Sequence, residues 1–432
     1  MRLWRVAGLA LASAWGGAAG AATLAEEVLA LDTRLALELV RHTATMSPPV
    51  ASRAFGVLYV TAYEAVAQGP GGLRSLGGQL NEMTEPPGRE AGSAYDDAVV
   101  LEAALGVALE ELFGSTGPTG QRALDRVGER LAEGVAEGVD PAVLARSRAQ
   151  GEAVARHVLA WAATDGGADV ENLGFPLEME LAKGPGAWVP TSRIGLQQAP
   201  LLPSWGENRP FAMPEGSACP LPPPPAYSET AGSAFRVEAE EVLEVRRGLT
   251  DEQKLVARFW SDDPMLSPTP PGHWVSIAQQ VLDAEVAGIE RRVEVMAVLS
   301  AALADAFIGC WHEKFQWNTI RPVTYIKAHL DPGFEPLLIT PPFPEYPSGH
   351  SVQSAAAAEV LTRFFGEPYA FTDATHEDDG LPARGFASFR EAAEEAALSR
   401  LYGGIHFRAA VERGLEQGEC IGAFAAGLET RE

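Results

Sequence analysis

Leu24–Ala67, LAEEVLALDTRLALELVRHTATMSPPVASRAFGVLYVTAYEAVA, reads as helix, stop, helix. Apolar residues return at three- and four-residue steps through Leu24–Met46 and again through Ala51–Ala67, the period of a helix with one buried face. Between them Ser47-Pro48-Pro49 ends one helix and starts the next. The same period continues over Asp96–Phe113, Gln121–Val135 and Pro141–Ala163, and no stretch alternates long enough for a substantial sheet. The expectation is an all-α chain. Its first five helices, within residues 22–165, should form one bundle with their apolar stripes facing one another.

Residues 166–226 break the pattern. They are dense in Pro and Gly (Gly184-Pro185-Gly186, Pro222 to Pro225) but carry Trp188 and Trp205. A flexible linker is poor in tryptophan, so this segment is expected to be an ordered connection wrapped across the bundle. Helices resume at about Phe235–Arg247 and again at Thr250, whose hydroxyl can cap while Gln253 closes a capping box. A long helix should then run from about Glu285 towards Lys314. The architecture implied is two helical bundles packed together, the second within residues 227–432.

Composition narrows the function. The chain has 432 residues, 58 acidic against 33 basic, and a formal charge of −25. That balance excludes a nucleic-acid partner, because no basic stripe exists to neutralise a phosphate backbone. Arg2 and Arg5 precede an apolar run over Val6–Ala14 and an A-x-A-like Ala19-Gly20-Ala21, the pattern of an export signal over residues 1–21. The apolar stretch Val295–Ala304 is bounded by Glu294 and Asp305 and is too short to span a bilayer. The expectation is a soluble protein, exported to the periplasm or beyond. Three cysteines, Cys219, Cys310 and Cys420, allow one bridge and leave one thiol free; Cys310 sits in an apolar helical stretch that suits a buried thiol.

Against the acidic background, cations gather in three short blocks. Lys314–Pro322 is KFQWNTIRP, Pro347–His350 is PSGH, and Ser399–His406 is SRLYGGIH. Lys314 and Arg321 are seven apart, two turns on a continuous helix, with Pro322 closing or kinking it. Ser348 and Gly349 open the alanine-rich helix Ser351–Phe365, and a helix start offers unpaired amides to an anion. Arg400 and His406 are six apart, so an unbroken helix would put them on different faces, but Gly403-Gly404 loosens the path. Arginine forks, an ammonium, a hydroxyl and amides are the groups that hold a compact tetrahedral oxyanion.

In this order, K-x6-R-P, P-S-G-H and S-R-x3-G-x-H resemble the vanadium-dependent haloperoxidase and type 2 phosphatidic acid phosphatase superfamily. The likeness extends over Ser228–Trp274 and Asp305–Gly418, which resemble soluble bacterial haloperoxidase-type proteins. It implies that vanadate, or phosphate in the same site, is held by Lys314, Arg321, Ser348, Gly349 and Arg400. His406 would be the nitrogen ligand of vanadium or, in a phosphatase, the nucleophile. His350 would be the acid–base group, titrating near its working pH. Trp311 and Phe343 resemble the aromatics that line the halide pocket, though apolar core is the competing account of both. Many relatives carry an aspartate four residues after the last histidine, where this chain has Ala410, so another acceptor, such as a backbone carbonyl, must orient His406. Asp305 is a candidate partner for one arginine.

The activity implied is halide oxidation by hydrogen peroxide at a histidine-bound vanadate, with Lys314 polarising the bound peroxide. The alternative is an exported acid phosphatase acting on a phosphate ester through a phosphohistidine.

Overall fold

The structure is a computed structural model that describes residues 23–171, 174–176, 179–192 and 199–431. The export signal expected over residues 1–21 lies outside the described residues. Among these residues the chain is helical, with fourteen α-helices and two three-residue strands. The first helices are α1 (Leu24–His42), α2 (Pro48–Ala67), α3 (Asp97–Phe113), α4 (Pro118–Ala136), α5 (Pro141–Ala162) and the short α6 (Gly167–Glu171). Thr23 and Glu26 close a capping box on α1, and Pro48 and Pro49 start α2 where the sequence placed a stop and restart.

After the connection come α7 (Ala234–Gly248), α8 (Asp251–Phe259), α9 (Thr269–Ala284) and α10 (Ile289–Trp317). The capping box of Thr250 and Gln253 on α8 forms as its sequence indicates. Between the helix that starts at Thr250 and the one from about Glu285 the sequence indicates no further element, and α9 starts there with Pro270 and Pro271 in its first turn, where proline fits a helix start. The remainder is α11 (Pro322–His329), α12 (Gly349–Phe365), α13 (Phe389–Tyr402) and α14 (Arg408–Ala426). Between α12 and α13, β1 (Phe371–Asp373) pairs antiparallel with β2 (Arg384–Phe386).

The hub of the molecule is α10. It packs against α2 of the first group of helices and against α12 and α14 of the second, and one hydrophobic core runs through both groups. By length and composition α10 is apolar enough to cross a membrane, although its apolar stretch is wholly buried inside this protein. Packing on several faces explains that composition, since a helix surrounded by others needs no polar side. The tightest seam joins α12 to α14. A Cβ at Gly418 would lie 2.1 Å from the Val352 carbonyl oxygen, so only glycine lets the two backbones approach this closely.

Parts of the Pro/Gly-rich connection pack against the helices. Trp188 and Trp205 are buried. The Trp188 amide donates to the Asn318 carbonyl at 2.9 Å and the Leu201 amide to Pro342 at 2.8 Å. Cys219 is bonded to Cys420 on α14, and Cys310 is a buried free thiol. The carboxylate of Asp305 accepts from the amides of Phe211, Ala212 and Met213 at 2.6, 2.8 and 2.7 Å. Asp305 therefore anchors this connection to α10, and among the described residues it pairs with three amides and with no arginine, where an arginine partner was expected. Burial, partly offset by these amides, raises its carboxyl to about 7.

Candidate functional site

The three cationic blocks meet where α10, α12 and α13 end or begin. Lys314 lies in the last turn of α10, but the helix stops at Asn318, which takes a left-handed φ of 45°. Arg321 is consequently the N-cap of α11 and not a residue two turns further along the same helix. The two cations still converge, by a turn instead of a shared helical face. Lys314 Nζ lies 5.2 Å and Arg321 Cζ 5.1 Å from the Phe343 ring centroid.

Ser348 is the N-cap of α12 and its amide donates to the Ala410 carbonyl at 3.0 Å, tying the PSGH turn to α14. A Cβ at Gly349 would meet Phe307, Cys310 and Trp311 at no less than 3.9 Å, so protein packing alone does not demand glycine there. The third block turns between α13 and α14: Gly403 closes α13, Gly404 takes φ 74°, and His406 follows on the turn. Arg400 and His406 thus leave helical phase and point to one place.

His406 is buried. Its Nδ1 pairs with Glu345 Oε1 at 2.8 Å, and the same oxygen accepts from the Phe407 amide at 2.9 Å. The acceptor that replaces the expected aspartate at Ala410 is therefore the carboxylate of Glu345, not a backbone carbonyl. Arg321 Nη1 donates to His406 Nε2 at 3.1 Å. This fixes the tautomer: Nδ1 carries the proton and Nε2 keeps its lone pair. Burial first, then Arg321 and Lys314, holds the imidazole well below its ordinary pKa, hence neutral.

Burial, then Arg400, similarly holds the His350 imidazole well below its usual value, which favours the neutral ring. Its Nε2 accepts from Arg400 Nη1 at 2.7 Å. Lys314 is also committed. Its ammonium donates to the carbonyls of Pro344 at 3.0 Å and Glu345 at 2.9 Å, and to that of Pro347, and burial lowers it to about 7. Lysine here shapes the turn before Ser348 as well as supplying charge.

Two guanidinium nitrogens stand apart from this satisfied network. Arg321 Nη2 and Arg400 Nε are buried without a hydrogen-bond partner. Such donors are costly to leave unmade, and an anion's oxygens satisfy them. Together with the His406 lone pair and the uncrowded Gly349, they fit an oxyanion. Beside them opens a largely apolar cavity of about 530 Å³, lined by Trp311, Phe343, His350, Arg400 and His406 among others. Trp311, buried in the core, packs on the partly buried Phe343 at 4.8 Å between centroids, and both line the cavity.

A second buried cluster adjoins His350, and nothing in the sequence reading pointed to it. Asp262 accepts from His273 Nδ1 at 3.1 and 3.0 Å and from His376 Nε2 at 3.2 Å. The remaining ring nitrogens face Asp373 at 2.8 Å and Asp379 at 3.0 Å. Asp262 and His273, 11 positions apart, meet Asp373, His376 and Asp379 from 100 or more positions further along, so no single local motif announces the cluster. Ligand atoms of Asp262, His273 and His376 lie within 4.8 Å of one another, close enough to surround a cation.

Residues 294–431 match the family model of the VCPO second helical-bundle domain. A solved bacterial vanadium-dependent iodoperoxidase superposes with TM-score 0.86 at 37% identity, covering 94% of this chain and 97% of that one. The chain belongs to the vanadium-dependent haloperoxidase family. A solved bacterial vanadium-dependent chloroperoxidase in its holo form gives TM-score 0.70 at 17% identity, with 90% of this chain and 93% of that chain covered, a likeness of fold alone. The vanadium chloroperoxidase of Curvularia inaequalis is 23% identical over 211 residues, 35% of this chain and 35% of its own length, so the match spans about a third of that relative. In this haloperoxidase-family chain all three cationic blocks fall within the segment matched by the family model. Asp262 and His273 lie upstream of it.

Proposed function

We propose that the chain is a vanadate-dependent haloperoxidase that oxidises halide with hydrogen peroxide. The observation that carries this is the pair of unpartnered buried guanidinium nitrogens, Arg321 Nη2 and Arg400 Nε, beside the unprotonated His406 Nε2, whose lone pair accepts from Arg321 Nη1. Bound there, vanadate would supply a Lewis acid that activates peroxide towards a halide without changing its own oxidation state.

The chain's residues have separable tasks. Arg321 and Arg400 hold the anion's oxygens by charge-assisted hydrogen bonds, helped by the Ser348 hydroxyl and the Gly349 amide at the start of α12. His406 presents an unprotonated Nε2, and Glu345 keeps it unprotonated by accepting at Nδ1. Lys314 keeps the 344–347 turn in place and adds a positive charge that favours electron-rich oxygen. His350 is a neutral base whose Nε2 takes up a proton when Arg400 turns its donor to the anion. Trp311 and Phe343 offer an apolar wall suited to a weakly hydrated halide. We place the protein outside the cytoplasm, in keeping with its N-terminal sequence and the Cys219–Cys420 bond, because disulfides persist in oxidising compartments.

The test is an assay of the purified protein with and without orthovanadate. Vanadate should switch on halide oxidation by peroxide, and His406→Ala should abolish it. Ester hydrolysis that vanadate only inhibits, with no halide oxidation, would overturn the proposal in favour of a phosphatase.

A further inference from the structure

The buried histidine–aspartate cluster beside His350 is not needed to hold the oxyanion, yet it is built with care. His273 is buried and stacks on Trp260 at 4.5 Å between centroids. Both its nitrogens face carboxylates, Asp262 on one side and Asp373 on the other. Two carboxylates can both be bonded only by an imidazolium, and they outweigh burial to raise its pKa to about 10. The cluster is also saturated: none of the side-chain nitrogens or oxygens of Asp262, His273, His376 or Asp373 is a buried atom without a partner. A cation could sit among three of these groups only by displacing hydrogen bonds already made, so the arrangement favours a charged network over a metal site.

What the network holds in place is Asp262. Two histidines grip its carboxylate, and His350 Nε2 lies 3.9 Å from its Oδ2. As a neutral ring, His350 accepts at that nitrogen from Arg400 Nη1 at 2.7 Å. A protonated ring cannot accept, and a guanidinium beside it repels it. Its new N–H then needs an acceptor, and the nearest fixed anion is Asp262. The other charged groups around His350 are Arg400 of α13, His273 of α9 and His406 before α14, with Asp263 facing Arg400; of these only Asp263 is a further acid, and it acts on Arg400.

We propose that Asp262, pinned by His273 and His376, is the acceptor to which His350 Nε2 swings from Arg400 on taking up a proton, which makes Asp262 a positioning residue for the acid–base step. The inference rests on His350 being the acid–base group of the proposed peroxidase. The proton stays on Nε2 throughout, and only its hydrogen-bond partner changes. Asp262 is held ionised, far below the usual carboxylate range despite burial, chiefly by His273, so it steadies the imidazolium without taking its proton.

The experiment is histidine-labelled NMR of the whole protein with inorganic phosphate in the site, for the parent, Asp262→Asn and His376→Gln. Losing the Asp262 charge should lower the proton affinity of His350 by about tenfold, one pKa unit. The limb of the kcat/KM profile assigned to His350 should move to lower pH by the same amount. His376→Gln keeps a donor on Asp262 and should leave the His350 titration in place. Should Asp262→Asn fail to fold, crystals of the parent phosphate complex at acid and neutral pH read the same point: at acid pH the 3.9 Å gap should close to about 3 Å. An unmoved titration in folded Asp262→Asn, or a gap unchanged with pH, would overturn the proposal. So would one equivalent of tightly bound divalent metal in the parent that Asp262→Asn loses. The NMR and the crystals need no turnover, so failure here is distinct from failure of the peroxidase assay.

Discussion

Glu345 sets the chemistry of His406. Its carboxylate accepts from His406 Nδ1 and from the Phe407 amide, which aims the ring and leaves Nε2 without a proton, accepting from Arg321. Burial pushes Glu345 up to about 8 while Arg321, the Phe407 amide and Lys314 oppose that rise, and two donors converging on one oxygen suit the ionised form. Glu345→Gln puts an amide where the carboxylate was and weakens the hold on the tautomer. Orthovanadate affinity, measured by calorimetry, and peroxidase kcat should each fall by about 10- to 100-fold. A variant within twofold of the parent in both would remove Glu345 from this role. At this scale the convergence of cationic and histidine groups was legible, because Lys314, Arg321, Ser348, Gly349, Arg400 and His406 form compact blocks. Glu345 stood in plain view within FPEYPSGH, five residues before His350. Its partner, 61 residues away, is found only by folding.

Elements were legible by period, and their ends were not. The expected helices over 24–46, 51–67, 121–135 and 285–314 all exist, with ends shifted by a few residues. One shift mattered: α10 stops at Asn318, so the cations at 314 and 321 meet around a turn and not along a helix. A left-handed asparagine has only a weak sequence signal, since Asn is tolerated there but not required. Asp305 illustrates the converse. Its isolated carboxylate in an apolar helix invited an ionic partner, and the structure supplies three backbone amides from the distant connection. Asp305→Ala would leave those amides buried without an acceptor. Unfolding free energy, by urea denaturation followed by circular dichroism, should fall by about 3 kcal/mol or more, at 1–3 kcal/mol for each orphaned group. A loss under about 1 kcal/mol would mean that water replaces the carboxylate.

At the scale of the whole molecule, the Cys219–Cys420 bond ties the irregular connection to α14 across 201 residues of sequence. Chain-entropy reasoning gives such a loop about 5 kcal/mol at most, so Cys420→Ser should show a clearly lower urea midpoint than the parent. An unchanged midpoint would mean that packing alone holds the connection. The sequence favoured a buried free thiol at Cys310 and left open whether the other two bond, which only proximity decides. By itself, the sequence determined the all-helical class, the acidic composition and the short blocks that carry the clustered cations and histidines. Those follow from periodicity, composition and local blocks, which are properties of neighbours along the chain. Tertiary structure alone decided which carboxylate orients His406, where α10 ends, and that Asp262, His273 and His376 meet beside His350. Each of these depends on groups far apart in sequence, brought together by burial against the central helix. No local pattern encodes such a meeting.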